Sequence, residues 1–553
     1  MAGLATSFGS GAMTNSMDDV AAFAQTFFII GSNTSEQHPV FGTRIRQAII
    51  QRGAKLIVAD PRKIDMTEFA TLHLRLKPGT DIALINGLMH IILANGWENK
   101  TFIAERTEGF EEFKANLEDY TPQKVTAITG VPEDQLLEAA EMMAKNSPAA
   151  VLWAMGITQH TYGVQNVMTL ANLQMLLGNL GIPGGGVNPL RGQNNVQGAC
   201  DMGGLPDVYP AYQKVNVDDN RKKFEAAWGV ELDGTFGLKV TEMMPAAAAG
   251  NLKALYILGE NPVMSDPDTN HIRHCLESLD FMVLQEIFPS ETAEYADVLL
   301  PGPTFVEKSG TFTNTERRVQ IVRQAVEPVG EAHQDWIIIQ DLANRVLDYG
   351  KRKVEAGARF AAWNYSDPSQ IMDEIAALAP SYAGVSHNRL ENGERLQWPV
   401  KGLDQPGTPI LHIGKFTRGL GKFAVTSYVD PAELPNNEYP MLLSTGRVLY
   451  HWHGGEMTRR AQGLLEVYSH ALVEVNPDDA VRIGINGNKR VRIASRRGVI
   501  EAEAWVTDRV PPGIVYANFH FPDSNANNLT IAALDPISKI PQFKVCAVKV
   551  ELA

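Results

Sequence analysis

Thr26-Phe27-Phe28-Ile29-Ile30-Gly31-Ser32-Asn33-Thr34-Ser35-Glu36-Gln37-His38-Pro39 is an apolar run that ends in a polar turn. A helical pattern then continues to Arg52, with Gly53 as its stop. A second buried strand, Leu56 to Ala59, ends at Asp60-Pro61-Arg62-Lys63 and completes a βαβ unit, which implies a parallel sheet. Ligands of such sheets bind at the carboxyl ends of the strands. The usual GxGxxG fingerprint is absent, which weakens a nicotinamide reading. Asp60 sits where an acid would meet a ribose hydroxyl, and its spacing suits an acid in an ordinary turn equally well.

The pattern repeats outward from this unit. Leu72 to Leu76, the turn Lys77-Pro78-Gly79-Thr80-Asp81 and a helix from Ile82 to Ala94 form a third strand-turn-helix, with Thr80 or Asp81 as N-cap. A charged helix, Pro132 to Lys145, leads to a buried strand, Ala149 to Ala154. Met155-Gly156-Ile157-Thr158-Gln159-His160 then opens a helix running to Leu180. His160, taken alone, reads as a surface residue at a helix end. The opening section is thus a doubly wound α/β domain. Leu252 to Leu258, Phe281 to Gln285 and Asp297 to Pro301 predict a second such domain. From about Glu438 the short strands Tyr439 to Ser444, His470 to Val475, Arg490 to Ala494, Val499 to Val506 and Gly513 to Asn518 predict a β-barrel ending at Phe543-Lys544. The division expected is 1–193 (α/β), 194–305 (second α/β, partial), 306–437 (mixed helix and loop) and 438–553 (barrel).

Of the 553 residues, 44% are hydrophobic, enough to build several cores. The formal net charge is −14, without a basic run, so nucleic acid has little support as a partner. Three cysteines, Cys200, Cys275 and Cys546, lie too far apart in sequence to suggest a disulfide framework or a cluster motif. No apolar run reaches membrane-spanning length, and Met1 to Ser16 has no signal-peptide core, so a cytoplasmic protein is expected.

Between the two α/β sections, Gly181 to Asp207 (GIPGGGVNPLRGQNNVQGACDMGGLPD) is almost without bulky apolar side chains, which predicts a loop and not a packing element. Gly184, Gly185 and Gly186 permit φ > 0 or close approach to a ligand, and Arg191, Gln193, Asn194, Asn195 and Gln197 set a guanidinium fork beside four amides. A long surface loop with Asx turns is the plain alternative. The words Val187-Asn188-Pro189-Leu190-Arg191-Gly192-Gln193-Asn194-Asn195-Val196-Gln197-Gly198-Ala199-Cys200-Asp201-Met202-Gly203 closely resemble a segment of the molybdenum- or tungsten-dependent formate dehydrogenases, which carry a bis-molybdopterin guanine dinucleotide cofactor. The resemblance runs from Ala2 to the C-terminus.

That resemblance implies roles residue by residue. Arg191 orients the formate carboxylate, a task suited to a planar bidentate donor, and Gln193 supports it, with Gly192 and Asn194 at the cofactor. Gly31, Asn33, His38, Asp60, Arg62, Gly79 and Asp81 hold one guanosine arm, while Gly156, Thr158 and Gln159 meet pterin and phosphate. Gly259, Glu260, Asn261, Gln285 and Thr292 hold the other guanosine arm, so the cofactor would span a crevice between the two α/β domains. Glu307, Asn314 and Arg317 are lesser candidates near the cofactor; on residues alone they form a solvated hairpin. In the capping barrel the resemblance points to Thr445, Arg447, His451, His453, Thr458, Phe519, Asn527, Asn528 and Lys544. By itself His451-x-His453 could be a pair of zinc ligands, though no carboxylate or cysteine partner accompanies it. An acidic chain can hold so anionic a cofactor because Gly-rich turns and helix N-termini bind pyrophosphate locally.

In the resembled family the metal-binding cysteine or selenocysteine, its neighbouring histidine and a 4Fe-4S motif precede a segment like Ala2 to Asn15. They are expected upstream of Met1, with an in-frame selenocysteine codon read as a stop. The DNA before codon 1 tests this: absence of such codons contradicts it. The partners implied are formate and an electron-transfer iron–sulfur, diaphorase or hydrogenase subunit. Another bis-dinucleotide oxidoreductase, acting on nitrate or a related oxoanion, and a non-catalytic cofactor-binding fragment are the alternatives.

Overall fold

The computed structural model describes residues 1–349, 363–487 and 489–553. Strand β1, Thr26–Ile30, is buried along its whole length, and its alternating side chains feed two separate cores. Phe28 and Ile30 join one, with Ile57, Val151 and Trp153. Phe27 and Ile29 join the other, with Leu56, Val58 and Leu152. A strand apolar on both faces belongs in a sheet covered on both sides, and this one lies at the centre of five. The others are β2 (Lys55–Ala59), β3 (Leu72–Leu74), β4 (Ala149–Trp153) and β5 (Val187–Pro189), ordered β3-β2-β1-β4-β5 and all parallel. Strand order reverses between β1 and β4, the switch point at which sheets of this class open a crevice for ligands.

The first helix after the switch point, α1 (Pro39–Arg52), starts with proline at its first turn and stops at Gly53 in the left-handed region, as expected. Helix α2, Asp81–Ala94, is almost wholly buried and begins at the turn anticipated for it. The Gly-rich stretch corrects an expectation: Val187–Pro189 is a packed edge strand, with Val187 fully buried and paired to Val151. Its glycines face the chain itself. A Cβ on Gly184 would strike the backbone of Phe23 and Ala24, and one on Gly186 would strike Thr14 and Asn15.

The chain gathers into two compact units. One comprises Met1–Leu190, Asn261–Cys275 and Ile410–Ala553; the other comprises Arg191–Glu260 and Leu276–Pro409. The second unit contains three parallel strands, β6 (Ala254–Leu258), β7 (Phe281–Glu286) and β8 (Val298–Pro301), ordered β8-β7-β6. It also holds an antiparallel hairpin, Gly310–Thr313 with Arg318–Val322. The first unit ends in a closed six-stranded barrel around a core that includes Met441, Leu443, Val473, Val491 and Val515. Arg490–Ala494 and Val499–Val506 alternate buried and exposed residues from the start, the period-two pattern of strands with one face on a core. The barrel closes on Cys546–Leu552, beyond the Phe543-Lys544 boundary expected from sequence, because the strand's inward residues Cys546, Val548 and Val550 complete the core. Among the described residues, no helix is long and apolar enough to cross a membrane.

Candidate functional site

At the switch point the turns after β1 and β4 meet. Gly156 N–H donates to Gly31 O at 3.0 Å. A Cβ on Gly156 would lie 2.5 Å from Gly31 Cα, and one on Gly31 would lie 2.8 Å from the Gly156 carbonyl carbon, so neither position admits a side chain as built. Two backbones in contact bring two βα turns to one place. Behind them, His160 is almost fully buried, which overturns its reading as a surface residue. Burial pushes His160 down to about 4, so the neutral ring donates from Nε2 to Gly156 O at 2.8 Å.

Two carboxyl groups come from neighbouring turns. Asp60, after β2, accepts Arg62 N–H at 2.9 Å, and burial raises it to about 6. Asp81, at the start of α2, is raised to about 7 by burial, with the charge of Asp60 adding to the shift. His160 Nε2 lies 3.8 Å from Asp81 Oδ2. Lys544 reaches in from the barrel, is lowered to about 8 by burial and then Arg447, and interacts electrostatically with Asp60. Both side-chain polar atoms of Asn33 are buried without a hydrogen bond of ordinary geometry; Glu36 is the nearby polar neighbour. Buried polar groups of this kind are costly without partners. A back-to-back glycine pair, unsatisfied amide atoms, two carboxyls poised near neutrality and a lysine suit a nucleotide with N–H edges for the carboxylates and phosphates for backbone N–H groups and the lysine.

The remaining predicted residues of this unit are distributed unevenly. Gly79 has φ 84°, and its carbonyl accepts Tyr162 Oη at 2.6 Å. His38 stands at the N-cap position of α1 without a side-chain capping bond, and Thr158 and Gln159 are half-buried on the turn after β4. Arg62 sends its fork into the barrel instead: Nε donates to Glu474 Oε2 at 2.7 Å, Nη2 pairs with Oε1, and the guanidinium lies 4.0 Å from the Tyr516 ring centroid. Both charges are buried. Glu474→Ala is therefore expected to cost about 3–5 kcal/mol by stranding Arg62; an unchanged unfolding midpoint for the purified chain would rule this latch out.

In the barrel, Thr445 donates to Phe543 O at 2.9 Å and its carbonyl accepts Lys544 Nζ at 2.5 Å. Arg447 lies 3.5 Å from His453 Nε2 and 5.4 Å from the Trp452 ring. His451 is spent on the fold: Nε2 donates to Tyr468 O at 2.7 Å, and Nδ1 accepts Thr458 Oγ1 at 3.1 Å. That disposes of the zinc alternative. His453 is pushed down to about 3 by burial, Arg447 and His520. His520, which the sequence did not single out, holds this loop by donating from Nδ1 to His453 O at 2.5 Å and accepting Val448 N–H at 3.0 Å. Phe519 stacks on His520, and Asn528 N–H closes a turn on Asn525 O at 3.0 Å. Asn527 donates to Met264 O at 2.8 Å while its own carbonyl oxygen is buried without a partner. Asn261 donates to Glu456 Oε1 at 2.5 Å.

In the second unit, Arg191 N–H donates to Thr315 Oγ1 at 3.0 Å, and Nη1 lies 3.9 Å from Cys200 Sγ. Gly192 and Gln193 are half-buried, and Asn194 is exposed. Gly259 N–H donates to Gln285 O at 2.9 Å; Gln285 is buried and donates to Asp335 at 2.7 Å, Thr292 is buried, and Glu260 is exposed. The hairpin around Arg317 is not solvated as its residues suggested: Arg317 is fully buried, with φ 69°, and donates to the carbonyls of Trp398, Thr408 and Pro409. Glu307 caps a short turn by accepting Thr304 N–H at 2.7 Å, and Asn314 Oδ1 accepts Glu316 N–H at 3.1 Å. No group of three or more His, Cys, Asp or Glu among the described residues could hold a metal ion.

The raised carboxyl of Asp81 has a consequence for stability. A folded value near 7 against 3.8 unfolded means that the native state holds the proton longer, so the contribution of Asp81 to stability is full below about pH 4 and is lost as pH rises towards 7, by up to roughly 4 kcal/mol. His160 works the opposite way, its contribution being lost as pH falls from 6.5 through about 4. Asp81→Asn is expected to flatten the neutral side of the purified chain's stability profile alone; an unaltered slope between pH 5 and 7 would contradict it.

A doubly wound sheet with polar turns at its switch point and a barrel lysine reaching in defines a nucleotide-binding α/β protein. The chain belongs to the molybdopterin oxidoreductase family: that family's profile matches residues 4–345, and the profile described as Molydopterin dinucleotide binding domain matches residues 441–547. It is 46% identical over 551 residues to the F420-dependent formate dehydrogenase 1 subunit alpha of Methanococcus maripaludis, covering 99% of this chain and 79% of that one. It is 39% identical over 557 residues to formate dehydrogenase H of Escherichia coli, covering 100% of this chain and 76% of that one. Acetylene hydratase from Pelobacter acetylenicus shares the fold, with a TM-score of 0.77 at 20% identity, over 100% of this chain and 80% of that one.

Proposed function

We propose that this chain is the catalytic alpha subunit of a formate dehydrogenase, which converts formate to carbon dioxide, a proton and two electrons. The observation that carries the reading is the similarity to formate dehydrogenase alpha subunits along almost the whole chain, at 46% identity over 551 residues. Arg191 is the anchor for the carboxylate: its guanidinium is planar, permanently charged and forked, and its backbone is fixed by Thr315. Gln193 adds an amide that accepts or donates beside it.

A molybdopterin guanine dinucleotide pair with molybdenum or tungsten supplies, when bound, the acceptor for the two electrons. The chain's part is grip and electrostatics. Asp60 and Asp81 accept N–H groups of one guanosine arm, with Gly31, Asn33, His38, Arg62 and Gly79 around it. Gly156 lets the ligand approach the turn closely, Thr158 and Gln159 present a hydroxyl and a side-chain amide, and Lys544 and Arg447 offset phosphate charge. Thr445, His453, Phe519, Asn527 and Asn528 form the barrel's share, and His451 with Thr458 holds the shape of the loop that presents them. Gly259, Glu260, Asn261, Gln285 and Thr292 serve the other arm, and Gly192 and Asn194 flank the anchor. The electrons pass to an iron–sulfur, diaphorase or hydrogenase subunit, and the enzyme works in the cytoplasm. The test is substrate choice by the purified holoenzyme: formate reduces a viologen dye, and nitrate fails to reoxidise the reduced dye. Nitrate turnover without formate turnover would overturn the assignment.

A further inference from the structure

Asp201 lies at the end of the short helix Val196–Asp201, ten residues after Arg191, and is fully buried. Its carboxylate is ringed by donors. Oδ1 accepts Gln197 Nε2 at 2.6 Å and Tyr212 Oη at 2.7 Å; Oδ2 accepts Tyr382 Oη at 2.5 Å and Trp398 Nε1 at 2.6 Å. Two of these donors, Tyr382 and Trp398, come from segments distant in sequence, so one carboxylate ties together 201, 212, 382 and 398. A neutral amide of the same shape would set an NH₂ against two of these donors, and because Trp398 Nε1 can only donate, it keeps the arrangement only if Gln197 and Tyr212 both turn to accept.

The segment that Asp201 terminates is pinned along its length. Arg191 N–H donates to Thr315 Oγ1 at 3.0 Å at its start. Asn195 Oδ1 accepts Thr313 N–H at 2.9 Å in its middle, where a Cβ on Gly198 would lie 3.1 Å from the same nitrogen and strike Asn195. Cys200, next to Asp201, is the residue that Arg191 Nη1 approaches at 3.9 Å. Thus the backbone that ends in Asp201 returns to the Arg191 guanidinium within one residue. A buried carboxylate costs desolvation and adds little net stability, whereas fixing a geometry is a use to which buried polar networks are put.

We propose that Asp201 is a positioning residue for formate: by anchoring the far end of the 191–201 segment to Tyr212, Tyr382 and Trp398, it fixes where the Arg191 guanidinium stands. This rests on the assignment of Arg191 as the carboxylate anchor. Asp201 itself touches no substrate and acts through Arg191.

The test is a double-mutant cycle in the holoenzyme with Asp201→Asn, Arg191→Lys and both together, with metal and guanine content measured alongside formate kinetics. Asp201→Asn is expected to lower formate kcat/KM about 10- to 100-fold, the effect of spoiling hydrogen bonds to a buried charge, while cofactor content stays at the wild-type level. In the Arg191→Lys background the same change has less than about a twofold further effect, since residues acting as a unit are not additive. Formate also shields Arg191 from phenylglyoxal in the wild type, read by mass spectrometry, and that shielding is lost in Asp201→Asn. Equal losses in both backgrounds would mean a purely structural role and overturn the proposal, as would wild-type kinetics for Asp201→Asn. Should Asp201→Asn not fold, Tyr382→Phe removes a single donor and is expected to show a smaller loss with the same non-additivity; wild-type kinetics there overturn it equally. Wild-type formate kinetics for Arg191→Lys would instead bring down the anchor assignment itself.

Discussion

Arg191→Ala is expected to yield a holoenzyme that carries its cofactor and has almost lost formate oxidation, with kcat/KM reduced about 100- to 1,000-fold. The size follows from removing one partner of a desolvated, charge-paired contact, which costs about 2–5 kcal/mol. The change removes the side-chain approach to Cys200 and keeps the contacts that hold the segment: the Arg191 amide still donates to Thr315 Oγ1, and Asp201 keeps its four donors. Arg191→Lys keeps the charge and loses the fork, so it falls between the two, with the deficit mainly in KM. Unchanged kcat and KM for formate in Arg191→Ala would remove the residue from the reaction.

The second large effect concerns the switch point of the first sheet. Gly156→Val puts a branched side chain where even a Cβ would stand 2.5 Å from Gly31 Cα. The two βα turns must part, the Gly156 N–H to Gly31 O bond of 3.0 Å breaks, and the His160 contact to Gly156 O is disturbed with it. The expectation is a chain that retains its barrel, judged by β-type circular dichroism, and retains less than about a tenth of the wild-type guanine, since overpacking at such a contact costs about 1–3 kcal/mol or more and misplaces a whole turn. Gly53→Val serves as the control. Gly53 has positive φ, as Gly31 does, but a Cβ there meets nothing within 4 Å, so that change costs local stability without touching guanine content. Equal guanine loss in both variants would show that the switch point has no special part in binding.

How much of this could be read from the residues varies with distance along the chain. Thr26–Ile30 and Lys55–Ala59 were legible because an apolar run between a polar turn and a glycine stop has few other uses, and Val499–Val506 because its alternation is regular. Val187–Pro189 was hidden because a three-residue edge strand among glycines carries too little apolar signal to stand apart from a loop. Cys546–Leu552 was missed because no turn signal separates it from Phe543-Lys544. The turns holding Asp60, Asp81 and Gly156 were legible as turns, yet nothing local says that Asp60 and Asp81 feel one another or that Lys544 joins them. His160 looked like a helix-end residue because its burial beside Asp81, from another βα turn, leaves no local mark. The partner of Arg62, Glu474, is 412 positions away, and the partners of Asp201 include Tyr382 and Trp398, 181 and 197 positions away. Such pairings are set by topology, and composition or spacing does not encode them.

The central claim, that the switch-point turns grip a guanosine arm and Arg191 grips formate, is tested most directly by an experimental structure of the holoenzyme with a formate-like anion such as nitrite bound. A guanosine is expected within hydrogen-bond distance of Asp60 and Asp81, with Asn33 finding its partners, and the anion on the Arg191 fork. A guanosine seated away from both carboxyls, or the anion held elsewhere with Arg191 turned from it, would contradict it.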